Sequence, residues 1–84
     1  MRRGRHGVKT RVKELRTACG LTQQQLAERV HVSARTIISI ETGQYSPSLM
    51  LAYRMAVLFG VSVEELCCLE ENLEAEEKKY EDLP

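Results

Sequence analysis

No apolar run in this sequence approaches the ~18 residues that a membrane-spanning helix needs, so no part of it is expected to cross a bilayer. There is no glycine-rich linker, no internal repeat and no strand-type alternation of useful length, which leaves helix caps as the punctuation. Cysteine is scarce and odd in number: Cys19, Cys67 and Cys68. An odd count with two residues adjacent makes a disulfide framework implausible and points to a reducing compartment, and the spacing does not suit a metal. The three are expected as small buried hydrophobes near helix ends. Equally absent are a phosphate-binding glycine loop and any Ser/His/Asp or Cys/His arrangement, while the many acids fall on exposed helix faces. An enzyme is therefore not expected, and neither is a catalytic residue, a metal or a cofactor. His6 is included in this, since no Cys, Asp or Glu lies at ligand spacing from it.

What the sequence does contain is a soluble composition, 43% hydrophobic and 29% charged over 84 residues, which is expected to form one domain. Residues 1–7 are basic and lead into another charged stretch rather than an apolar one, so they do not read as a secretory signal, and the expected location is cytoplasmic, with the nucleoid. The net charge of zero hides an asymmetry. Residues 1–35 carry nine Lys/Arg against Glu14 and Glu28, whereas residues 36–84 carry Arg54, Lys78 and Lys79 against ten acids. One end favours a polyanion partner, and the other repels it or masks the first.

Val8, Val12, Leu15 and Cys19 recur at helical spacing ahead of Gly20, predicting a first helix over 9–19. Thr22 with Gln25 forms a capping box, and Leu21 can staple to Leu26, opening a second helix that runs to about Val30. Ser33 caps a third, stapled by Val32 and Ile37 and ended near Gly43. Ser46 and Pro47 are expected to start a fourth, which stops at Gly60, and Ser62 with Glu65 opens a fifth. From Glu70 the composition turns acidic and is read as a helical extension fraying into a disordered tail. The organisation is thus a basic flexible arm (1–7), a folded domain (8–69) and an acidic helical or disordered tail (70–84).

Only His31, Val32 and Ser33 separate the second helix from the first turn of the third. So short a connection forces the helices to cross steeply, which is the helix-turn-helix arrangement. In that arrangement the first helix lies across the DNA backbone and the second enters the major groove by its N-terminal residues. The ordered segments Leu-Thr-Gln-Gln-Gln-Leu-Ala at 21–27, Val-Ser-Ala-Arg-Thr-Ile at 32–37, Ile-Glu-Thr-Gly at 40–43, Ser-Pro-Ser-Leu at 46–49 and Phe-Gly-Val-Ser-Val-Glu-Glu-Leu at 59–66 resemble the lambda-repressor-like, or Xre/Cro-type, regulators. The resemblance implies an all-α, compact five-helix DNA-binding domain whose helix-turn-helix is formed by helices 2 and 3. It also implies a sequence-specific transcriptional regulator, a repressor, that binds double-stranded DNA at palindromic operators as a homodimer.

Carried over residue by residue, the resemblance makes Gln23 a phosphate contact, joined by Thr22, Thr36, Thr42, Gln44, Tyr45 and Arg11. On the third helix, residues 33–42, Ile37 and Ile40 face the core and leave Ala34, Arg35, Ile38 and Ser39 for base reading. Arg35 can offer its planar fork to guanine O6 and N7; Ala34 and Ile38 suit a thymine methyl, although Ile38 equally suits a partner subunit or a neighbouring side chain. Arg16 is implied to pair with Glu41 as a structural ion pair. Two positions depart from the family: His31 stands where Gly or Asn is usual because the turn needs positive φ, and Gln44 stands where many relatives carry a base.

The arm with Arg2, Arg3 and Arg5 reads equally as a tether to the minor groove or backbone and as a solvated terminus. Tyr53, Val57 and Leu58 on the fourth helix, with Val63 and Cys67 on the fifth, are candidates for a two-fold interface. An alternative reading makes the chain a protein-interaction module, antitoxin-like or bridging, whose partner is bound by the fifth helix and acidic tail, where Leu66, Leu69 and Leu73 continue an apolar face.

Overall fold

Helix boundaries in this chain are set by side chains that stand in for missing backbone partners. The computed structural model describes residues 8–81, and the regular elements among them are α1 (Val12–Ala18), α2 (Gln23–Val30), α3 (Ala34–Glu41), α4 (Leu49–Phe59), α5 (Val63–Leu66) and α6 (Leu69–Glu81). The arm with Arg2, Arg3, Arg5 and His6 lies outside the described residues. At α2 the Thr22 hydroxyl accepts the Gln25 N–H (3.0 Å) while the Gln25 side chain accepts the Thr22 N–H (2.9 Å), a complete capping box. Ser62 and Glu65 repeat it at α5 (3.0 and 3.1 Å). Ser33 caps α3 through the Thr36 N–H (3.3 Å). Each such cap is worth about 1 kcal/mol.

Apolar residues recurring on one face of each helix meet in a single core. Val12 of α1, Leu26 and Val30 of α2, Ile37 and Ile40 of α3, Met55 of α4 and Leu66 of α5 are fully buried together. Each Leu or Ile removed from water contributes ~1.5–3 kcal/mol, which is what holds helices of seven to eleven residues that would not persist alone. α2 and α3 pack closely on each other, and α1 and α4 hold them from behind.

Several boundaries differ from the sequence-based expectation, each for a tertiary reason. There are six helices among the described residues rather than five, because Cys68 adopts a left-handed conformation (φ 49°) that separates α5 from α6. The Asn72 amide stabilises this break by donating to the carbonyls of Cys67 (2.8 Å) and Cys68 (3.0 Å). Helix α1 begins at Val12, not residue 9, because Asn72 also grips the Lys9 backbone and the Arg11 N–H donates to the Leu66 carbonyl (2.8 Å). α4 is capped by Ser48, whose hydroxyl accepts the Leu51 N–H (3.2 Å), so Ser46 and Pro47 precede the helix instead of starting it. Cys19 is exposed, since it caps α1 on the solvent side, whereas Cys67 and Cys68 are buried. Burial pushes the Cys67 thiol up, which keeps it protonated.

His31 closes α2 with φ 65°, the positive value that the short turn demands. A side chain there costs ~1–2 kcal/mol that glycine avoids, part of it returned as glycine's extra unfolded-state entropy. His31→Gly is therefore expected to raise stability by about 0.5–1 kcal/mol, and His31→Val to lower it. Urea unfolding followed by far-ultraviolet circular dichroism measures both, and a destabilised His31→Gly protein would contradict the assignment of strain.

Candidate nucleic-acid interface

The exposed side of α3 owes its direction to its buried side. Ile37 and Ile40, three residues apart, bury completely, and this turns Arg35 and Ile38 outward. Arg35 sits in the first turn and makes no hydrogen bond or ion pair with any described residue, so its five donors remain available. Ile38 is exposed beside it. Ala34 is half-buried against the core edge, and Ser39 is half-buried further along the helix.

Behind this face a polar network fixes α3 to the scaffold. Arg16 of α1 donates through Nε and Nη2 to the two Glu41 carboxylate oxygens, at 2.6 and 3.2 Å, and through Nη1 to the Leu21 carbonyl at 2.8 Å. Both partners are desolvated, with side chains 10% and 3% exposed. The Gln23 side chain completes the set, its Nε2 donating to Glu41 Oε1 at 3.0 Å. One carboxylate thereby joins the end of α1, the start of α2 and the end of α3.

That last bond was not legible in the sequence pattern, which assigns Gln23 to a phosphate. Its second amide hydrogen still points away from Glu41, at a helix start where the first backbone N–H groups lack intrahelical acceptors. The other polar candidates divide. Gln44 and Tyr45 are exposed beyond α3. Thr42 commits its single hydroxyl hydrogen to the Ile38 carbonyl at 2.9 Å and keeps only acceptor capacity, which a phosphate does not want. Thr36 shares a hydroxyl contact of 3.2 Å with Ser33, and the Thr22 hydroxyl oxygen serves its own cap.

Arg11 stands apart from this group. Its guanidinium is paired with Glu14 at 2.8 Å, an interaction that raises the arginine's pKa and holds the Glu14 carboxyl below the usual range. It lines a concavity with Glu64, Glu65, Glu70 and Glu71, an acidic setting that repels phosphate. This setting does not favour the phosphate contact expected of Arg11. Among the interface candidates Cys67 is 5% exposed and belongs to the core, so it offers little area to a second chain. Leu58 and Val63 are half-buried against the same core, whereas Tyr53 and Val57 are 56% and 62% exposed.

The sequence model of the helix-turn-helix family matches residues 12–66, the span from α1 through α5. A Methanothermobacter thermautotrophicus protein described as an HTH-type transcriptional regulator is 47% identical over 66 residues, covering 77% of this chain and 96% of that one. The competence pilus inhibition repressor of Acinetobacter baylyi is 42% identical over 67 residues, covering 77% of this chain and 59% of its own length. Among solved structures, the restriction-modification controller protein C.AhdI from Aeromonas hydrophila superposes with a TM-score of 0.60 at 33% identity, covering 66% of this chain and 83% of that one. Among the described residues no helix is long and apolar enough to cross a membrane. With its short three-residue bend, its capped α2 and α3 and a family match over more than half its length, this chain belongs to the lambda-repressor-like, Xre/Cro-type family of helix-turn-helix transcriptional regulators.

Proposed function

We propose that the protein is a sequence-specific double-stranded DNA-binding regulator, acting as a repressor in the cytoplasm, with α2 and α3 as its helix-turn-helix and α3 in the major groove. The observation that carries this reading is Arg35: an arginine in the first turn of α3, outward-facing and unpaired among the described residues, on a helix locked from behind by Arg16, Glu41 and Gln23. A fork held by a rigid helix is preorganised for guanine O6 and N7, and Ser39, Ala34 and Ile38 extend the contact to neighbouring bases. Gln23, Gln44 and Tyr45 fit the flanking phosphates, and Thr22 and Thr36 are secondary donors there. Two copies on a palindrome would present their α3 helices one DNA turn apart, ~34 Å. The repressor assignment is supported by the similarity to the Acinetobacter competence pilus inhibition repressor.

Selection of bound sequences from a random duplex pool tests the reading. One short palindromic motif is expected, with affinity falling steeply as salt rises. Arg35→Ala is expected to cost about 1–3 kcal/mol on the selected site and to erase preference at one position of each half-site, while leaving nonspecific binding nearly intact. An unchanged motif would remove Arg35 from the groove, and indifference to duplex DNA in dilute buffer would end the proposal.

A further inference from the structure

Two exposed surfaces of this chain pair apolar residues with opposite charge at their edges, and neither is covered by the other. The first is on α4, where Met50, Tyr53 and Val57 form an exposed apolar stripe over a shallow groove of about 490 Å³. Its rim carries two arginines. Arg54 lies beside the stripe on α4, Arg29 and His31 approach from the end of α2, and neither arginine has an ion-pair partner among the described residues.

The second surface is α6, which packs on α5 and continues away from the core, giving the molecule a long axis of 46 Å against 26 and 21 Å. Leu69 and Leu73 stand exposed on it, four residues apart and therefore on one face. Glu70, Glu74 and Glu77 form a row along one side of that face, again without ion-pair partners among the described residues. Glu71 points the other way and is taken by Lys9 at 2.7 Å. A leucine face edged by acids thus meets its counterpart in an apolar stripe edged by bases. At ~20 Å for its thirteen residues, α6 is long enough to cover the whole of α4.

We infer that α6 of one copy docks on the α4 groove of a second copy, and reciprocally, so that the exchanged acidic helices build the two-fold dimer. The occupant is a second copy because the chain itself carries the matching surface, an exposed leucine face edged by unpaired acids. A reciprocal exchange is also closed, which accounts for both exposed faces at once. Leu69 and Leu73 cover Met50, Tyr53 and Val57, and the row of Glu70, Glu74 and Glu77 meets Arg29 and Arg54. This rests on the paired state proposed above and names its interface. It is tested without DNA, so its failure leaves the groove-reading role of Arg35 untouched.

The experiment uses two charge-reversed forms of the full chain: one carrying Glu70→Lys, Glu74→Lys and Glu77→Lys, the other Arg29→Glu and Arg54→Glu. All substituted positions are exposed, and circular dichroism verifies that both proteins fold. Sedimentation equilibrium is expected to show the parent as a dimer that weakens with salt, and each variant alone with its dimer dissociation constant raised at least ~10-fold. Mixed in equal amounts the two variants are expected to form a heterodimer, because the reversed helix of one then faces the reversed groove of the other. A monomeric parent overturns the inference. So does a dimer that survives in the α6 variant, which would mean pairing of α4 with α4, or one that survives in the α4 variant, which would mean pairing of α6 with α6. Two monomeric variants that fail to pair when mixed overturn it as well.

Discussion

Glu41→Ala is expected to destabilise the domain by about 3–5 kcal/mol, because it leaves the Arg16 guanidinium buried with no counter-charge. The carboxylate has three side-chain donors on it, two from Arg16 and one from Gln23, so its removal strands all of them at once. Against a total of roughly 5–15 kcal/mol for a folded domain, such a loss brings the protein to the edge of unfolding at physiological temperature. The size reflects the orphaned charge more than the worth of the pair. Replacing both partners together, Arg16→Met with Glu41→Leu, is therefore expected to recover most of the stability. Urea denaturation of the two single variants and the double variant measures this as a cycle. Additive losses in the double variant would show that the pair does not behave as a buried unit.

The second large effect belongs to Ile37. Truncating this wholly buried residue to alanine is expected to cost about 2–5 kcal/mol, while truncating its exposed neighbour Ile38 should change stability by less than ~0.5 kcal/mol. The contrast is the point, since the two side chains are identical and adjacent. One fills the space between α2 and α3, and the other projects from the proposed reading face. On DNA the order should invert at temperatures where both proteins are folded: Ile38→Ala weakens binding to the selected site, and Ile37→Ala leaves it close to the parent value. Equal losses of stability at the two positions would mean that α3 is rotated so that Ile38, like Ile37, faces the core.

The parts of this fold that were legible in the sequence are those governed by neighbours in the chain. Thr22 with Gln25, Ser33 and Ser62 with Glu65 cap helices through residues three positions away, so the sequence alone locates α2, α3 and α5 at their starts. The requirement for positive φ at His31 was equally local. What escaped was decided across long separations. Asn72 grips the Lys9 backbone from 63 positions away, and that contact delays α1, while the same amide holds the break after α5 through the Cys67 and Cys68 carbonyls. Nothing in the spacing of residues announces it.

The same division runs through the candidate site. The period of Ile37 and Ile40 was enough to tell which side of α3 is buried. The Gln23 bond to Glu41 arises only when the start of α2 meets the end of α3, and the acidic surroundings of Arg11 only when α5 and α6 close on the start of α1, so no local pattern carries them. Ser48 was a nearer miss. Two serines flank Pro47, and which of them caps α4 is settled by the path of the chain rather than by residue type.

The residues that hold α3 are not the ones it exposes. Its anchoring contacts come from Ile37, Ile40 and Glu41, whereas the exposed Arg35 and Ile38 lie outside the buried core and the Arg16–Glu41 network. On the groove-reading role proposed above, descendants of this sequence can exchange the latter two side chains and acquire new operator vocabularies at little risk to foldability. Laboratory libraries randomised at those two codons should retain a high fraction of soluble members.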